Sequence, residues 1–353
     1  LDPVRLLTEA VAIRSVSGSE GALARYLVRE VAGFAREAFV DDVGNAVAHF
    51  GNGPLRVTFL GHIDTVPGEI PVRIEDGKIY GRGAVDAKGA LCTGLCAAAL
   101  MPPGVAARLS LTVIAAVEEE SPSSKGARHA VQAYPCPEFL IIGEPSGWDA
   151  VTLAYKGRLL VAGECSKANF HSAGDESTAA EEVVDFFLTV KRWVDHRNQR
   201  HEGIFDRVQL ALQEITSQSD GLKQQARALL GFRLPLELPP GSLQEQLLGL
   251  AGSRGVSLSW LGSEEPVRAA KDSPLCRAFR VAIRRQSVRP KLKVKTGTSD
   301  MNVVAPHWRV PMLAYGPGDS HFDHRPDEQL DLGEYRRAIA VLSEVLTILA
   351  GAS

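Results

Sequence analysis

The chain has 353 residues, 45% of them hydrophobic and 23% charged, with a formal net charge of −3. That is the composition of a globular protein with enough core for two domains, and the near-neutral balance excludes a global attraction to nucleic acid or membrane. No apolar run reaches about 18 residues, so no transmembrane helix is expected. The opening "LDPVRLLTEAVAIRSV" has acids and amphipathic spacing, not the basic-then-apolar order of a signal peptide. Cys92, Cys96, Cys136, Cys165 and Cys276 are an odd, scattered set, which fits a reducing cytoplasmic compartment better than a disulfide framework. Cys92 and Cys96 lie in the small-residue run "ALCTGLCAAAL" and read as buried thiols.

In chain order, residues 3–13 and 21–34 carry helical apolar spacing. "LRVTFL" (55–60) reads as a strand, "GALCTGLCAAALM" (89–101) as a helix, and "LSLTVIAA" (109–116) and "FLIIG" (139–143) as further strands. This alternation is that of an α/β layered domain. From about residue 157 the texture changes. "GRLLVAGECS", "VQLALQEI", "ALLGFRLPLEL" and "VSLSWLG" read as strands, and 178–195 and "SLQEQLLGLAG" as helices. The α/β texture then resumes with helix "PLCRAFRVAIRRQ", strand "VPMLAYG" and the final helix "LGEYRRAIAVLSEVLTILA". The expected organisation is a catalytic domain of residues 1–156 and 269–353, interrupted by a small α+β domain at 157–268.

The polar residues gather where strands end. "LRVTFL" runs into "GHIDTVPG", "LSLTVIAA" into Glu118, Glu119 and Glu120, and "FLIIG" into Glu144. Parallel α/β sheets bind ligands beyond the carboxyl ends of their strands. His62 and Asp64 are two apart, so on extended backbone they share a side. Asp64 is then expected to fix the tautomer of His62 for metal binding, although a surface turn would show the same pair. Asp86 lies in "GRGAVDAKGA", whose glycines match neither a phosphate loop nor a dinucleotide fingerprint. "YGPGDSHFDHRPDEQL" offers His321 and His324 after another strand, and a solvated loop would look alike. Nitrogen and oxygen donors without thiolates suit zinc, cobalt or manganese, and acid-rich sites often hold two ions. Two divalent ions would lower the cost of three adjacent glutamates.

The blocks "GHIDTVPG", "YGRGAVDAKG", "AAVEEES", "IIGEPSG", "KGRLLV", "FHS", "KTGTSDMN" and "GPGDSHFDHRPDE" span nearly the whole chain. In that order they resemble the di-zinc amidohydrolases that include acetylornithine deacetylase, succinyl-diaminopimelate desuccinylase and glutamate-releasing carboxypeptidases. The resemblance implies a phosphorylase/hydrolase-like α/β metallopeptidase domain with an inserted ferredoxin-like lid and dimerisation domain, acting as a homodimer. It places His62 and Glu144 on one metal ion, Glu120 and His324 on the other, and Asp86 on both. "HRPDE" selects His324 over His321. Glu119 matches the general base, Asp64 the partner of His62, and His171 a histidine that reaches the partner subunit's site and steadies the oxyanion. Arg233 in "GFRLP" and Gly316 in "GPGD" match substrate-binding positions, and a plain surface arginine remains open for the first. Glu118 holds a place where the family often has Asp. The family's Asn-x-Ile-Pro segment is not evident in "ITSQSDGLKQ".

Within the family, "EEESPSSKGAR", "GEPSGWD" and "LKVKTGTSDMNVVAPHW" most resemble the branch that acts on an amino-group carrier protein of LysW type in lysine and arginine biosynthesis. The implied reaction releases lysine or ornithine from the γ-carboxyl of the carrier's C-terminal glutamate. The alternatives are deacetylation of free N-acetyl-lysine or N-acetyl-ornithine and, remotely, a non-catalytic scaffold. The carrier is acidic, and residues 277–295 hold eight basic residues and no acidic one. Arg284, Arg285 and Arg289 are therefore expected to dock the carrier, against the plainer reading of a solvated face.

Overall fold

The computed structural model describes residues 1–171, 173–252 and 255–351. It divides into two compact units. One comprises 1–154, 269–294 and 299–353; the other comprises 155–268 and 295–298.

The first unit is built on a mixed sheet. Its centre is Leu55–His62, an eight-residue strand of β-branched and apolar residues. It pairs in parallel with Leu109–Ala116 on one side and Phe139–Gly143 on the other. Met312–Ala314 adds a fourth parallel strand beside Phe139–Gly143. Antiparallel strands finish both flanks: the hairpin Glu37–Val40 and Ala46–Phe50 beside Leu109–Ala116, and Ala150–Tyr155 beside Met312–Ala314. Helices Pro3–Ala12, Lys88–Ala99, Pro274–Arg285 and Leu332–Leu349 contribute to one continuous core. Lys88–Ala99 is buried along nearly its whole length, which its Ala, Gly and Cys residues permit. A Cβ at Gly94 would stand 2.7 Å from the Phe59 ring, so the glycine makes room for the central strand.

The second unit runs strand, helix, strand, strand, helix, strand: Gly157–Ala168, Ala179–Asn198, Gln209–Ser219, Lys223–Leu234, Pro240–Ala251 and Ser257–Glu264. The four strands pair antiparallel. Across the sheet the four stand in the order second, third, first, fourth, which is the split βαβ, ferredoxin-like arrangement. Its own core gathers Leu159, Val161, Phe186, Val190, Leu230, Phe232, Leu243 and Leu247. A Thr178–Glu181 capping box starts the first helix.

Several elements differ from the sequence expectation for identifiable reasons. Leu55–His62 continues two residues further, so His62 is its last residue. Lys223–Leu234 begins earlier than "ALLGFRLPLEL" suggests and stops before Pro235, which has no N–H for the ladder. The hairpin at 37–50 and the strands Ala150–Tyr155 and Lys291–Lys295 were not anticipated. The last of these is the lysine-rich end of the basic run, whose alternating charges hide its pairing with Ala150–Tyr155. Cys92, Cys96, Cys165 and Cys276 are buried free thiols, and Cys136 is exposed.

Candidate active site

The four parallel strands of the first unit end on the same side, and each is followed by a segment that bears candidate ligands. Register does the first part of the positioning. His62 stands level with Ala116, and Gly61 with Gly143. Glu144, one residue past Gly143, therefore comes alongside His62, with Oε1 3.9 Å from Nε2. His62 and Asp64 are fully enclosed.

Asp86 lies in the loop between Lys78–Tyr80 and the buried helix Lys88–Ala99. The fully buried Glu328 holds that loop: its Oε1 accepts from the backbone N–H of Val85 (3.0 Å) and of Asp86 (3.2 Å), and its Oε2 from Arg82 Nη1 (2.8 Å). Thus aimed, Asp86 presents one carboxylate oxygen to each of two imidazoles. Oδ1 is 3.3 Å from His62 Nε2, and Oδ2 is 3.1 Å from His324 Nε2. His324 Nε2 also lies 2.8 Å from Glu120 Oε1. Two donor sets result, His62–Asp86–Glu144 and Asp86–Glu120–His324, each with its ligand atoms within 4.8 Å of one another. His321 belongs to neither; its Nε2 faces Arg325 Nη1 at 3.4 Å. His324 adopts a φ of +62°, a left-handed conformation that is costly for a side-chain-bearing residue and is often found at functional positions.

Charge and proximity shape the protonation of these groups. Burial opposes ionisation of Asp86, but hydrogen bonds from His324 and His62 outweigh it and hold the carboxyl well below its ordinary range. The same contacts, Asp86 first and then Glu120, push His324 up to about 10. His62 is raised well above its usual value by Asp64 and Asp86, against the pull of burial. Glu119 is pushed well up by burial and then by Glu144, Asp300 and Glu120, with His62 opposing. A carboxyl whose ionisation is opposed in this way is suited to holding and passing on a proton. Clustered imidazoles and carboxylates without thiolate are the donor chemistry of zinc, cobalt or manganese, and Asp86 has one oxygen available to each set. The residues present fit a pair of divalent ions.

Asp64 differs from its expected geometry. His62 Nδ1 lies closer to the backbone oxygen of Asp64 (3.0 Å) than to its carboxylate (3.4 Å). That carboxylate instead accepts from Glu119 N (3.0 Å), Glu120 N (2.9 Å) and Ser17 Oγ (2.7 Å). It braces the glutamate turn as well as the histidine, a long-range role that two-residue spacing cannot show. Glu118 points elsewhere, its Oε2 accepting from Ser123 Oγ at 2.6 Å.

The remaining expected residues belong to neither donor set. Gly316 is a packing position: a Cβ there would stand 2.4 Å from Ala90 Cβ and 2.8 Å from the Glu144 oxygen. In the second unit, Arg233 donates to Thr298 Oγ1 at 2.8 Å, and exposed His171 accepts from Ala173 N at 3.2 Å. On the first unit's surface, Arg284 and Arg289 line a depression with Arg280 and Lys291, whereas Arg285 is paired with Glu344. One acid escaped the sequence reading. Asp300 follows the helix cap Ser299 in "TGTSDMN", is buried, and has no hydrogen-bond partner for either carboxyl oxygen among the described residues. Burial pushes it up to about 7. An acid inside a quoted motif, directly after a capping serine, was the available signal.

The profile of peptidase family M20/M25/M40 matches residues 58–348, and the chain belongs to that family. It is 50% identical over 350 residues to a LysW-lysine hydrolase of Deinococcus radiodurans, covering 98% of this chain and 96% of the relative. It is 38% identical to a putative LysW-lysine/LysW-ornithine hydrolase of Thermococcus kodakarensis, covering 99% and 93%. Among solved structures, an M20 family metallo-carboxypeptidase from Sulfolobus solfataricus aligns with a TM-score of 0.80 at 19% identity, covering 99% of this chain and 100% of that one. A tripeptidase from Staphylococcus aureus aligns at 0.79 and 15%, covering 99% and 98%. These likenesses show the fold: an α/β catalytic architecture with a smaller α+β unit.

Proposed function

We propose that this chain hydrolyses the amide that joins lysine or ornithine to the γ-carboxyl of the C-terminal glutamate of an acidic amino-group carrier protein. The chemistry rests on one observation above all: Asp86 offers separate oxygens to His62 and His324, which joins two donor sets into one centre. The substrate assignment rests on full-length similarity to a LysW-lysine hydrolase.

His62, Asp86 and Glu144 would hold one divalent ion, and Asp86, Glu120 and His324 a second, with zinc the favoured metal. When bound, such ions acidify water and stabilise charge on a carbonyl oxygen. Glu119 takes the proton of the attacking water and delivers it to the departing amine, so that the amide C–N bond breaks and a carboxylate and a free amine result. Asp64 orients His62 and keeps Glu119 and Glu120 in register. His171, supplied by the partner subunit of a homodimer through the smaller domain, would donate to the developing oxyanion. Arg233 would bind a substrate carboxylate, Gly316 is the other expected substrate-binding position, and Arg284, Arg285 and Arg289 would attract the carrier. A cytoplasmic setting suits a carrier-dependent biosynthetic step, and no helix among the described residues is long and apolar enough to cross a membrane.

The test is a side-by-side assay of amine release from carrier-linked lysine, N-acetyl-lysine and N-acetyl-ornithine. The proposal expects chelator-sensitive release, with kcat/KM highest for the carrier conjugate. Faster turnover of either free acetylated amino acid would replace it with the deacetylase reading.

A further inference from the structure

Resting on that assignment of Glu119 and Glu120, we infer that Glu20 and Asn45 are positioning residues that lock the register of the glutamate turn. Four successive backbone N–H groups, those of residues 117–120, all donate to side-chain oxygens from distant segments. Val117 donates to Asn45 Oδ1 (3.0 Å), Glu118 to Glu20 Oε1 (3.2 Å), and Glu119 and Glu120 to the two oxygens of Asp64 (3.0 and 2.9 Å). A strand end ordinarily hands such groups to water or to a neighbouring strand. Here the ladder is replaced by three side chains, two of them carboxylates that form charge-assisted bonds.

The need for a lock is visible in the backbone. Glu118 has a φ of +58°, a left-handed conformation that is unfavourable for a glutamate unless its surroundings impose it. Released, it would relax toward ordinary extended or helical angles and re-aim the two residues after it. One position of slippage would exchange the proposed base and ligand. Glu20 grips Glu118 itself, and its Oε1 is set by a second bond from Gly18 N at 2.8 Å. The Ser15–Glu20 stretch is in turn stitched to the strand end that bears His62 and Asp64: Ser15 Oγ donates to Ile63 O at 2.7 Å, and Ser17 Oγ to Asp64 at 2.7 Å.

Asn45 closes the turn from the other side. It is fully buried, and its Nδ2 donates to Gly126 O (3.2 Å) and Asp41 Oδ2 (3.0 Å) while its Oδ1 holds Val117. One amide thus ties the residue before the turn to the first coil of the helix after it. The fit has no slack: a Cβ on Gly126 would stand 2.4 Å from Asn45 Oδ1 and 2.5 Å from Val117 N. A mere core-filling role would not require an amide that spends its acceptor and one donor on the two ends of one loop and its other donor on Asp41.

The test compares the full-length wild type with Glu20→Ala, Glu20→Gln and Asn45→Ala. The readouts are kcat and KM on carrier-linked lysine, zinc retained per chain after dialysis against zinc-free buffer, and amide hydrogen exchange over residues 113–124. Glu20→Ala is expected to lower kcat by about 10- to 100-fold, as a displacement near 1 Å of a reacting group does, with KM within about 3-fold. It should also retain less zinc and exchange faster in that peptide, with protection elsewhere unchanged. Glu20→Gln keeps an acceptor oxygen and should recover most of the loss, which a general packing role would not arrange. Asn45→Ala should resemble Glu20→Ala. If Glu20→Ala keeps wild-type kcat, zinc and exchange, or if Glu20→Gln is no better than alanine, the positioning role is wrong. Zinc and exchange do not depend on which residue is the base. Normal turnover in Glu119→Gln would therefore overturn the functional assignment while leaving the lock to be judged on its own readouts.

Discussion

The two donor sets share Asp86 and otherwise differ in construction. His62 and Glu144 stand at or just past the ends of adjacent parallel strands, are almost wholly enclosed, and owe their proximity to sheet register. Glu120 and His324 stand on loops, with half of the His324 side chain exposed, and owe their positions to side-chain braces and a left-handed backbone. Pre-organisation by a packed sheet costs nothing further when an ion binds, whereas a loop must be held in place. The strand-borne set is therefore expected to bind a divalent ion more tightly, and the loop-borne set to exchange it.

Glu119 belongs to the loop but to neither donor set, so under the proposed assignment replacing it separates chemistry from metal binding. Glu119→Gln should lower kcat by about 10²- to 10⁴-fold while both ions are retained, measured by steady-state kinetics beside metal analysis. Loss of an ion in this variant would move Glu119 into the ligand set and erase the distinction. Asp64 touches both constructions, through His62 and through the glutamate turn. Asp64→Asn should weaken metal affinity about 10- to 100-fold, as loss of a ligand's supporting partner typically does. Equilibrium dialysis would show whether both ions are weakened, as the bracing of both regions predicts, or only the one at His62.

How much of this was legible in the sequence follows the same division. The strand-borne residues were visible because short β-branched runs stop at a histidine or glutamate, and parallel sheets place such ends together. The loop-borne residues were offered by the same strand ends, but only motif resemblance chose among their neighbours: nothing in "EEE" itself distinguishes Glu119 from Glu120. Their supports were not legible at all. Glu20, Asn45 and Glu328 act across 98, 72 and 242 residues to Glu118, Val117 and Asp86, a separation that no local pattern encodes. The hairpin that carries Asn45 was missed for a related reason. Its two short strands gain definition from pairing with Leu109–Ala116 rather than from their own composition.

The smallest effect is expected at the surface arginines, which belong to neither donor set. Reversing Arg284 and Arg289 together should raise KM for the carrier conjugate by about 3- to 10-fold and flatten its salt dependence, because exposed charges act mainly on encounter. Arg285→Glu should do less through carrier attraction, since Glu344 already neutralises that guanidinium. Salt-dependent kinetics on carrier-linked lysine would separate the two cases, and equal effects would point to net charge rather than a defined docking face.

The central claim is that Asp86 joins two unequal divalent-ion sites into one hydrolytic centre. Its most direct test is to strip the protein with a chelator, return zinc stepwise, and follow bound zinc and amine release from carrier-linked lysine together. The account predicts two equivalents of separable affinity, full turnover only as the second is filled, and loss of the weaker equivalent alone in His324→Ala. Full turnover with a single bound zinc, or two equivalents unaffected by His324→Ala, would contradict it.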